Sequence, residues 1–159
     1  MSRTHPPAAR GGLQPHNESD AGYTSEPLPD EVRALLRERI ESYEALEILI
    51  ALERVRGIGK TAGELSAGLH VTPALVDRAV RNLEAAGLVE RRSAVQPQYF
   101  YAPPSAELDC AVRALARAYA EQPIPVIKLM SENAIQRMRT GAARAFADAF
   151  ILRRGKGDG

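Results

Sequence analysis

The chain contains a single cysteine, Cys110, among 159 residues, and its formal net charge is only +1. One cysteine excludes a disulfide framework within the chain and any multi-cysteine zinc site. Because Cys110 lies in an alanine-rich helical pattern, we expect it to fill a small buried position. The low net charge provides no overall attraction to a polyanion, so any binding to nucleic acid has to depend on where individual charges lie.

Long hydrophobic runs are also missing. No stretch approaches the roughly 18 apolar residues of a membrane span, and the first residues lack the apolar core of a signal peptide. This predicts a cytoplasmic protein without membrane insertion. We find no Ser/His/Asp or Cys/His set, no glycine-rich cofactor turn after a strand and no metal-binding carboxylate cluster, so we expect no enzyme activity, cofactor or metal.

Composition divides the chain into a tail and a folded part. Residues 1–28 are rich in proline, glycine and small polar residues without an apolar period, which predicts a disordered N-terminal tail. Residues 29–104 carry the signals for an N-terminal helix and a compact helical domain with two strands. Residues 105–159 are predicted to form a C-terminal helical region used for dimerisation or partner docking.

The stretch GIGKT, residues 57–61, ends like the phosphate-binding loop of a nucleotide hydrolase. That loop requires a glycine where this chain has Arg54, and a strand where Leu46, Leu49 and Ile50 predict a helix. Thr61 and Glu64 instead fit a capping box at the start of a helix. GIGKT is therefore predicted to be a turn between two helices.

Start and stop signals predict four helices followed by two strands. Pro29 begins the first helix, Thr72 and Pro73 begin the fourth, and Gly87 ends the fourth in a left-handed conformation that lets Leu88 pack back on Leu83. The predicted helices run from about residue 29 to 40, 42 to 55, 61 to 69 and 73 to 86. The segments LVERR and QYFYA are predicted strands, joined by SAVQP.

This order of elements is that of a winged helix-turn-helix. Through TAGELSAGLHVTPALVDRAVRNLEAAGLVERR, residues 43–104 resemble the DNA-binding core of bacterial winged-helix transcriptional regulators, particularly the MarR-like and ArsR-like groups. The predicted fold is mostly α, with a core of three helices and a two-stranded β-hairpin wing, flanked by N- and C-terminal helices. The resemblance implies a DNA-binding regulator, and the alternative is a winged helix that serves as a protein adaptor without DNA binding.

The fourth predicted helix has an apolar and a polar face. Its apolar side gathers Leu75, Val76, Ala79, Val80 and Leu83. The resemblance places the polar side in the major groove of double-stranded DNA, with Ala74 at close approach, Arg78 and Arg81 as base readers, and Arg91 and Arg92 on the backbone. Thr72, Asp77 and Asn82 complete the predicted DNA-binding set.

A plain solvated surface is the alternative for that polar side. Asp77 and Glu84 are spaced to pair with Arg81 along the helix. Between Tyr43 and Pro104, seven Lys/Arg balance seven Asp/Glu. Because DNA affinity depends largely on phosphate neutralisation, a neutral module is expected to bind weakly or only as a dimer.

The C-terminal region contains two candidate contact surfaces. Leu108, Val112, Leu115 and Tyr119 have the spacing of a helical seam, which closes either within the chain or between the subunits of a homodimer. Pro123 and Pro125 are predicted to end that helix, and Gly141 to interrupt the next one. Phe146 and Phe150 stand one turn apart, as an aromatic ridge that docks on the protein's own core or anchors a protein partner.

Overall fold

The computed structural model describes the backbone of residues 27–154 and the side chains of residues 27–148. Within this range the chain forms six helices and three short strands, so the predicted mostly helical class is confirmed. The helices are α1 (Asp30–Glu38), α2 (Tyr43–Arg54), α3 (Ala62–Leu69), α4 (Pro73–Ala85), α5 (Ala106–Glu121) and α6 (Pro123–Arg154), and the strands are β1 (Lys60–Thr61), β2 (Val89–Arg92) and β3 (Gln98–Tyr101). The predicted tail lies outside the described residues except for Pro27 and Leu28, and Leu28 packs against the core.

Local capping bonds define where the first helices begin. The Ser42 hydroxyl accepts a hydrogen bond from the Ala45 amide at 3.2 Å, which caps α2. At α3 the Thr61 hydroxyl accepts from the Glu64 amide at 3.2 Å, and the Glu64 carboxylate accepts from the Thr61 amide at 2.8 Å. The predicted capping box is therefore confirmed. A phosphate-binding loop is the wrong interpretation of this segment, because a helix and not a strand leads into it.

The wing contains one strand more than the sequence predicted. The strands β2 and β3 form the expected antiparallel hairpin, in which Glu90 is paired with Phe100. Lys60 and Thr61, expected in a turn, pair with Tyr99 and Gln98 as β1, so the strand order is β1-β3-β2. Lys60 and the extended N-cap residue Thr61 are enough to pair with the open edge of β3.

The end of α4 follows the predicted stop signal. Gly87 has a φ of +72°, and its amide donates to the Glu84 carbonyl at 3.0 Å. The Leu88 amide donates to the Leu83 carbonyl at 2.9 Å, and both leucines are fully buried. This is a Schellman ending, and it turns the chain from α4 directly into β2. At the other end, Pro73 occupies the first turn as predicted, but the Thr72 side chain makes no capping bond.

One hydrophobic core joins the flanking helices to the winged helix. It contains α1 residues such as Leu36, α2 residues such as Leu49, and Leu83 of α4. Val112 and Leu115 of α5 are fully buried in the same core. The seam was predicted to close either within the chain or between two subunits. Val112 and Leu115 pack within the chain. Leu108 and Tyr119 lie at its half-buried margin.

Cys110 is exposed, so the prediction that it fills a buried position is wrong. The buried positions of α5 are Ala111, Val112 and Leu115. At 100° per residue, position 110 lies roughly opposite position 112 on the helix. An alanine-rich segment does not distinguish its two faces by composition, which is why the pattern was misleading here.

The last helix is longer than predicted. Pro123 does end α5 and begin α6, where a missing amide hydrogen does no harm. Gly141, however, does not interrupt α6, which continues from Pro123 to Arg154. A glycine inside a helix costs only about 1 kcal/mol relative to alanine and breaks no backbone hydrogen bond, so the alanine-rich flanks carry the helix through it.

A polar cluster ties the wing to the start of α5. The Arg56 guanidinium bonds the Asp109 carboxylate at 2.8 and 3.3 Å and the Glu53 carboxylate at 3.0 Å. The Tyr101 hydroxyl donates to Asp109 at 2.7 Å, and the Arg56 guanidinium lies 4.9 Å from the centre of the Tyr101 ring. The hydrogen bond from Arg56, and to a smaller extent the one from Tyr101, holds the pKa of Asp109 below its usual range.

Asp109→Asn is expected to reduce the free energy of unfolding at pH 7 by about 1 kcal/mol, because Arg56 is half exposed and its bonds compete with water. A carboxyl group whose pKa is lowered by folding contributes stability above its unfolded pKa, and this contribution is lost as pH falls through the folded value. The difference between wild type and variant should therefore shrink below about pH 4. Urea titrations at pH 7 and pH 3 measure it, and a difference independent of pH would contradict the assignment.

Candidate nucleic-acid interface

The helix α4 is held by a buried face and presents the opposite one to solvent. Val76, Ala79, Val80 and Leu83 are buried against the core. Leu75, predicted on the same side, is 38% exposed and lies at the edge of the buried face. The helix packs on α2 and α3, with β2 leaving from its end. Its orientation therefore depends on contacts along most of its length.

The outer face of α4 carries the predicted base readers in accessible positions. Thr72, Ala74 and Asp77 are exposed, and so are Arg78 and Arg81. Neither arginine takes part in an ion pair among the residues that the structure describes. Their guanidinium groups remain available to an incoming acceptor.

The predicted pairing of Arg81 with its helical neighbours is not formed. Glu84 instead contacts Arg91 of β2, with 3.2 Å between Nε and the carboxylate oxygen. The Schellman turn brings β2 back alongside the helix end, and this alternative partner is invisible in helical spacing. The interpretation of α4 as a surface neutralised by its own acids is therefore wrong for Arg81.

Asn82 is less available than its neighbours. Its side-chain amide donates to the Glu41 carboxylate at 3.0 Å, and the residue is only partly exposed. Glu41 lies between α1 and α2, 41 residues earlier in the chain, and it was not among the predicted site residues. No local pattern signals such a contact, because it exists only once α4 has packed across α2.

The two arginines of β2 are both engaged. Arg91 forms an ion pair with Glu84, whereas Arg92 bonds Glu90 at 3.0 Å and stacks over the Phe100 ring at 4.4 Å. The hydrogen bond with Glu90 raises the pKa of Arg92. Both contacts are at the surface, where a phosphate can exchange with a carboxylate at little cost. Beneath Arg92, the Phe100 ring lies so close to Gly59 that a β-carbon there would clash with it.

The strand β3 pairs with β2 next to this surface. Tyr99 is buried, and burial raises the pKa of its hydroxyl. The carboxylates of Asp77 and Glu84 raise that pKa further, against the opposing effect of Arg91 and Arg81. Tyr99 therefore lies within electrostatic reach of charged groups on both α4 and β2. The wing tip, residues 93–97, contains neither lysine nor arginine, and most of it is exposed.

The C-terminal candidates lie apart from this surface. The Tyr119 hydroxyl donates to the Glu47 carboxylate at 2.5 Å and also contacts the Tyr43 hydroxyl, which ties α5 to α2. Burial and the bond to Glu47 raise the pKa of Tyr119. Phe146 is 71% exposed on α6, and the side chain of Phe150 lies outside the described residues. The use of Phe146 and Phe150 as an anchor for a protein partner therefore stays a prediction.

Neither a metal cluster nor a membrane span occurs in the described part of the chain. Residues 27–148 contain no group of three or more His, Cys, Asp or Glu side chains arranged to hold a metal ion. None of the helices there is both long enough and apolar enough to cross a membrane.

Comparison with known proteins identifies the winged-helix segment. The model of the MarR family matches residues 42–96. No curated protein matches the chain.

Solved structures that are similar to this chain include the following three. Reduced HlyU from Vibrio cholerae is 24% identical, covering 57% of this chain and 92% of its own, with a TM-score of 0.44. Transcriptional regulator Tm0710 from Thermotoga maritima is 20% identical, covering 81% and 88%, with a TM-score of 0.43. A point mutant of MepR from S. aureus, solved bound to an oligodeoxyribonucleotide, is 18% identical, covering 76% and 91%, with a TM-score of 0.43.

The family match runs from the cap of α2 to the wing tip, and it therefore includes the whole predicted helix-turn-helix. Residues 42–96 of this chain match the MarR family, which confirms the resemblance predicted from the sequence.

Proposed function

We propose that this protein is a DNA-binding transcriptional regulator that places α4 in the major groove of double-stranded DNA. The observation that carries the proposal is the exposed face of α4, where Arg78 and Arg81 are in no ion pair among the described residues while the opposite face is buried. Arginine can bond guanine bidentately from a groove helix. The family match supports the same use of the helix.

The residues around these arginines have different roles in the proposal. Thr72, Ala74 and Asp77 lie exposed at the N-terminal half of α4, the part that approaches base edges in a helix-turn-helix. Asn82, whose side-chain amide donates to Glu41, has to exchange that bond before it can contact DNA. Arg91 and Arg92 exchange their carboxylate partners for DNA phosphates. Such a regulator acts in the cytoplasm, where bacterial DNA lies.

A homodimer is part of the proposal because one winged helix has no net charge. A neutral module gains little from phosphate neutralisation, and two recognition helices about one DNA turn apart compensate for this. The side of α6 that faces away from the core carries exposed apolar residues in helical register. These residues, which we call the α6 stripe, are Ile124, Ile127, Ile135 and Met138. A second copy of the chain that packs on the α6 stripe would remove it from water.

Arg81→Ala is expected to weaken binding to the preferred duplex by about 1 to 3 kcal/mol and to relax the preference at one base position. Arg91→Ala should weaken binding to all duplexes alike. It should also reduce the salt slope, the slope of log affinity against log salt concentration, by about one unit, as for a lost phosphate contact. Selection of bound genomic fragments supplies the duplex, and fluorescence anisotropy at several salt concentrations measures both effects.

Arg117→Ala is the matched control, because Arg117 is an exposed arginine on α5, away from α4 and the wing. It should leave both the affinity and the salt slope unchanged. Equal losses from all three variants would indicate a general charge effect and remove the assignment of Arg81 as a base reader. A wild-type protein that shows no salt-dependent binding to any duplex would remove the proposed function.

A further inference from the structure

A groove of about 400 Å³ lies between the end of α1 and the middle of α6, on a different side of α6 from the stripe. Three arginines line it, Arg37 from α1 and Arg137 and Arg144 from α6. No carboxylate of the described residues lines the groove, and none of the three arginines takes part in an ion pair there. Three positive charges therefore share one concave site without a counter-charge.

The positions on α6 leave room between the charges. Arg137 and Arg144 are two helical turns apart on the same face, which corresponds to about 10 Å along the axis. Gly141 lies between them and also lines the groove, and a β-carbon built on it would meet no atom within 4 Å. The glycine thus keeps open the space that the two guanidinium groups flank.

Other polar groups in the groove add donors. The Arg137 guanidinium donates to the Glu41 carbonyl at 2.8 Å, which positions it while most of its five N–H donors remain unused. Asn133 lines the same groove, and its side-chain nitrogen is buried without a hydrogen-bond partner among the described residues. A buried amide donor without a partner is unfavourable until an acceptor reaches it.

We propose that this groove binds a small polyanion that carries two or more phosphate or carboxylate groups. Guanidinium groups bond both kinds of oxygen anion bidentately, and charge-assisted bonds of this type are among the strongest that side chains form. An anion with separated charges bridges Arg37, Arg137 and Arg144 and relieves their mutual repulsion. A concave site between two helices suits a small ligand better than the convex backbone of a duplex.

A single residue, Glu41, connects the groove to α4. The Glu41 backbone carbonyl accepts from Arg137, and its carboxylate accepts from Asn82. An anion that draws Arg137 into the groove therefore acts on Glu41, which also bonds Asn82 of α4. An effect on DNA binding by this route rests on the proposed function, whereas binding of the anion is measured without DNA.

Titration calorimetry of the full chain with inorganic pyrophosphate in a low-salt chloride buffer tests the proposal. We expect saturable binding of one pyrophosphate per chain, at least about tenfold tighter than inorganic phosphate, because only the larger anion reaches separated arginines. Arg144→Gln should weaken it about tenfold or more through the loss of one charge-assisted contact. Gly141→Leu should weaken it similarly by filling the space, with no change in charge.

The controls repeat the same chemical changes elsewhere. Gly68→Leu on α3 also adds a side chain where a β-carbon meets nothing within 4 Å, and Arg117→Gln removes an exposed arginine from α5. Both should bind pyrophosphate like the wild type. Gly141→Leu should remain folded, since leucine favours a helix more than glycine does. An unchanged circular dichroism melt checks this.

Three results would overturn the proposal. One is the absence of saturable pyrophosphate binding, and another is binding that neither Gly141→Leu nor Arg144→Gln weakens. In the third, Arg144→Gln lowers the salt slope of DNA binding but leaves pyrophosphate binding unchanged, which would assign these arginines to the DNA backbone instead. Since the calorimetry contains no DNA, failure of the proposed regulator function would not change its outcome.

Discussion

Replacing Val112 and Leu115 together with glutamate is expected to unfold the protein and not to yield a folded monomer. Both side chains are fully buried in the core that joins α5 to the winged helix. A buried carboxylate without a partner is among the most destabilising changes known, at about 4 kcal/mol or more for each site. The combined cost of two such sites would remove much of the free energy of unfolding of a typical domain, which is roughly 5 to 15 kcal/mol.

Circular dichroism melting and analytical ultracentrifugation together measure this outcome. The matched control, Ala106→Glu with Ala120→Glu, adds the same charge to two exposed positions of α5 and should melt close to the wild type. If the Val112→Glu/Leu115→Glu variant were folded and monomeric beside a dimeric wild type, the seam would be an intersubunit contact. These two residues would then stabilise the dimer more than the core of one chain.

Replacing Ile135 and Met138 with glutamate should give a folded monomer that binds its DNA site about a hundredfold more weakly. The two side chains are 44% and 67% exposed, so the substitutions place carboxylates in water within one chain but against each other in a dimer that packs on the α6 stripe. Loss of the second subunit removes the second recognition helix, and with it the avidity of a two-site contact.

Sedimentation velocity and a duplex titration of the same preparation check the two parts of this expectation. Ala143→Glu with Ala147→Glu adds equal charge to exposed positions of α6 that lie off the stripe, and it should remain dimeric. A variant of Ile135 and Met138 that stays dimeric with unchanged affinity would place the subunit contact elsewhere. A monomeric wild type that binds DNA tightly would remove the dimer from the proposed function.

Elements with strong local signals could be predicted from the sequence. The capping box at Thr61 and Glu64 and the glycine stop at Gly87 were confirmed, because each depends on hydrogen bonds within a few residues. The buried face of α4 followed from helical periodicity, apart from Leu75 at its edge. The family resemblance followed from the same segment and was confirmed over residues 42–96.

Predictions failed where a local pattern had two physical outcomes. Alanine-rich α5 did not reveal that Cys110 faces solvent, because alanine is accepted on either side of a helix. Gly141 did not break α6, because one glycine weakens a helix only slightly when its flanks favour it. Lys60 and Thr61 became a strand only because the edge of β3 lies beside them.

The candidate site shows the same division. The sequence by itself determined that α4 has an outer face with Arg78 and Arg81, since the period of a helix decides which residues share a side. Only the tertiary structure decided which charges already have a partner: Glu84 forms an ion pair with Arg91, and the Glu41 carboxylate accepts a hydrogen bond from Asn82. It alone also brought Arg37 beside Arg137 and Arg144, about a hundred residues further along the chain. Such contacts depend on how helices pack across one another, and the order of residues within any one helix does not encode them.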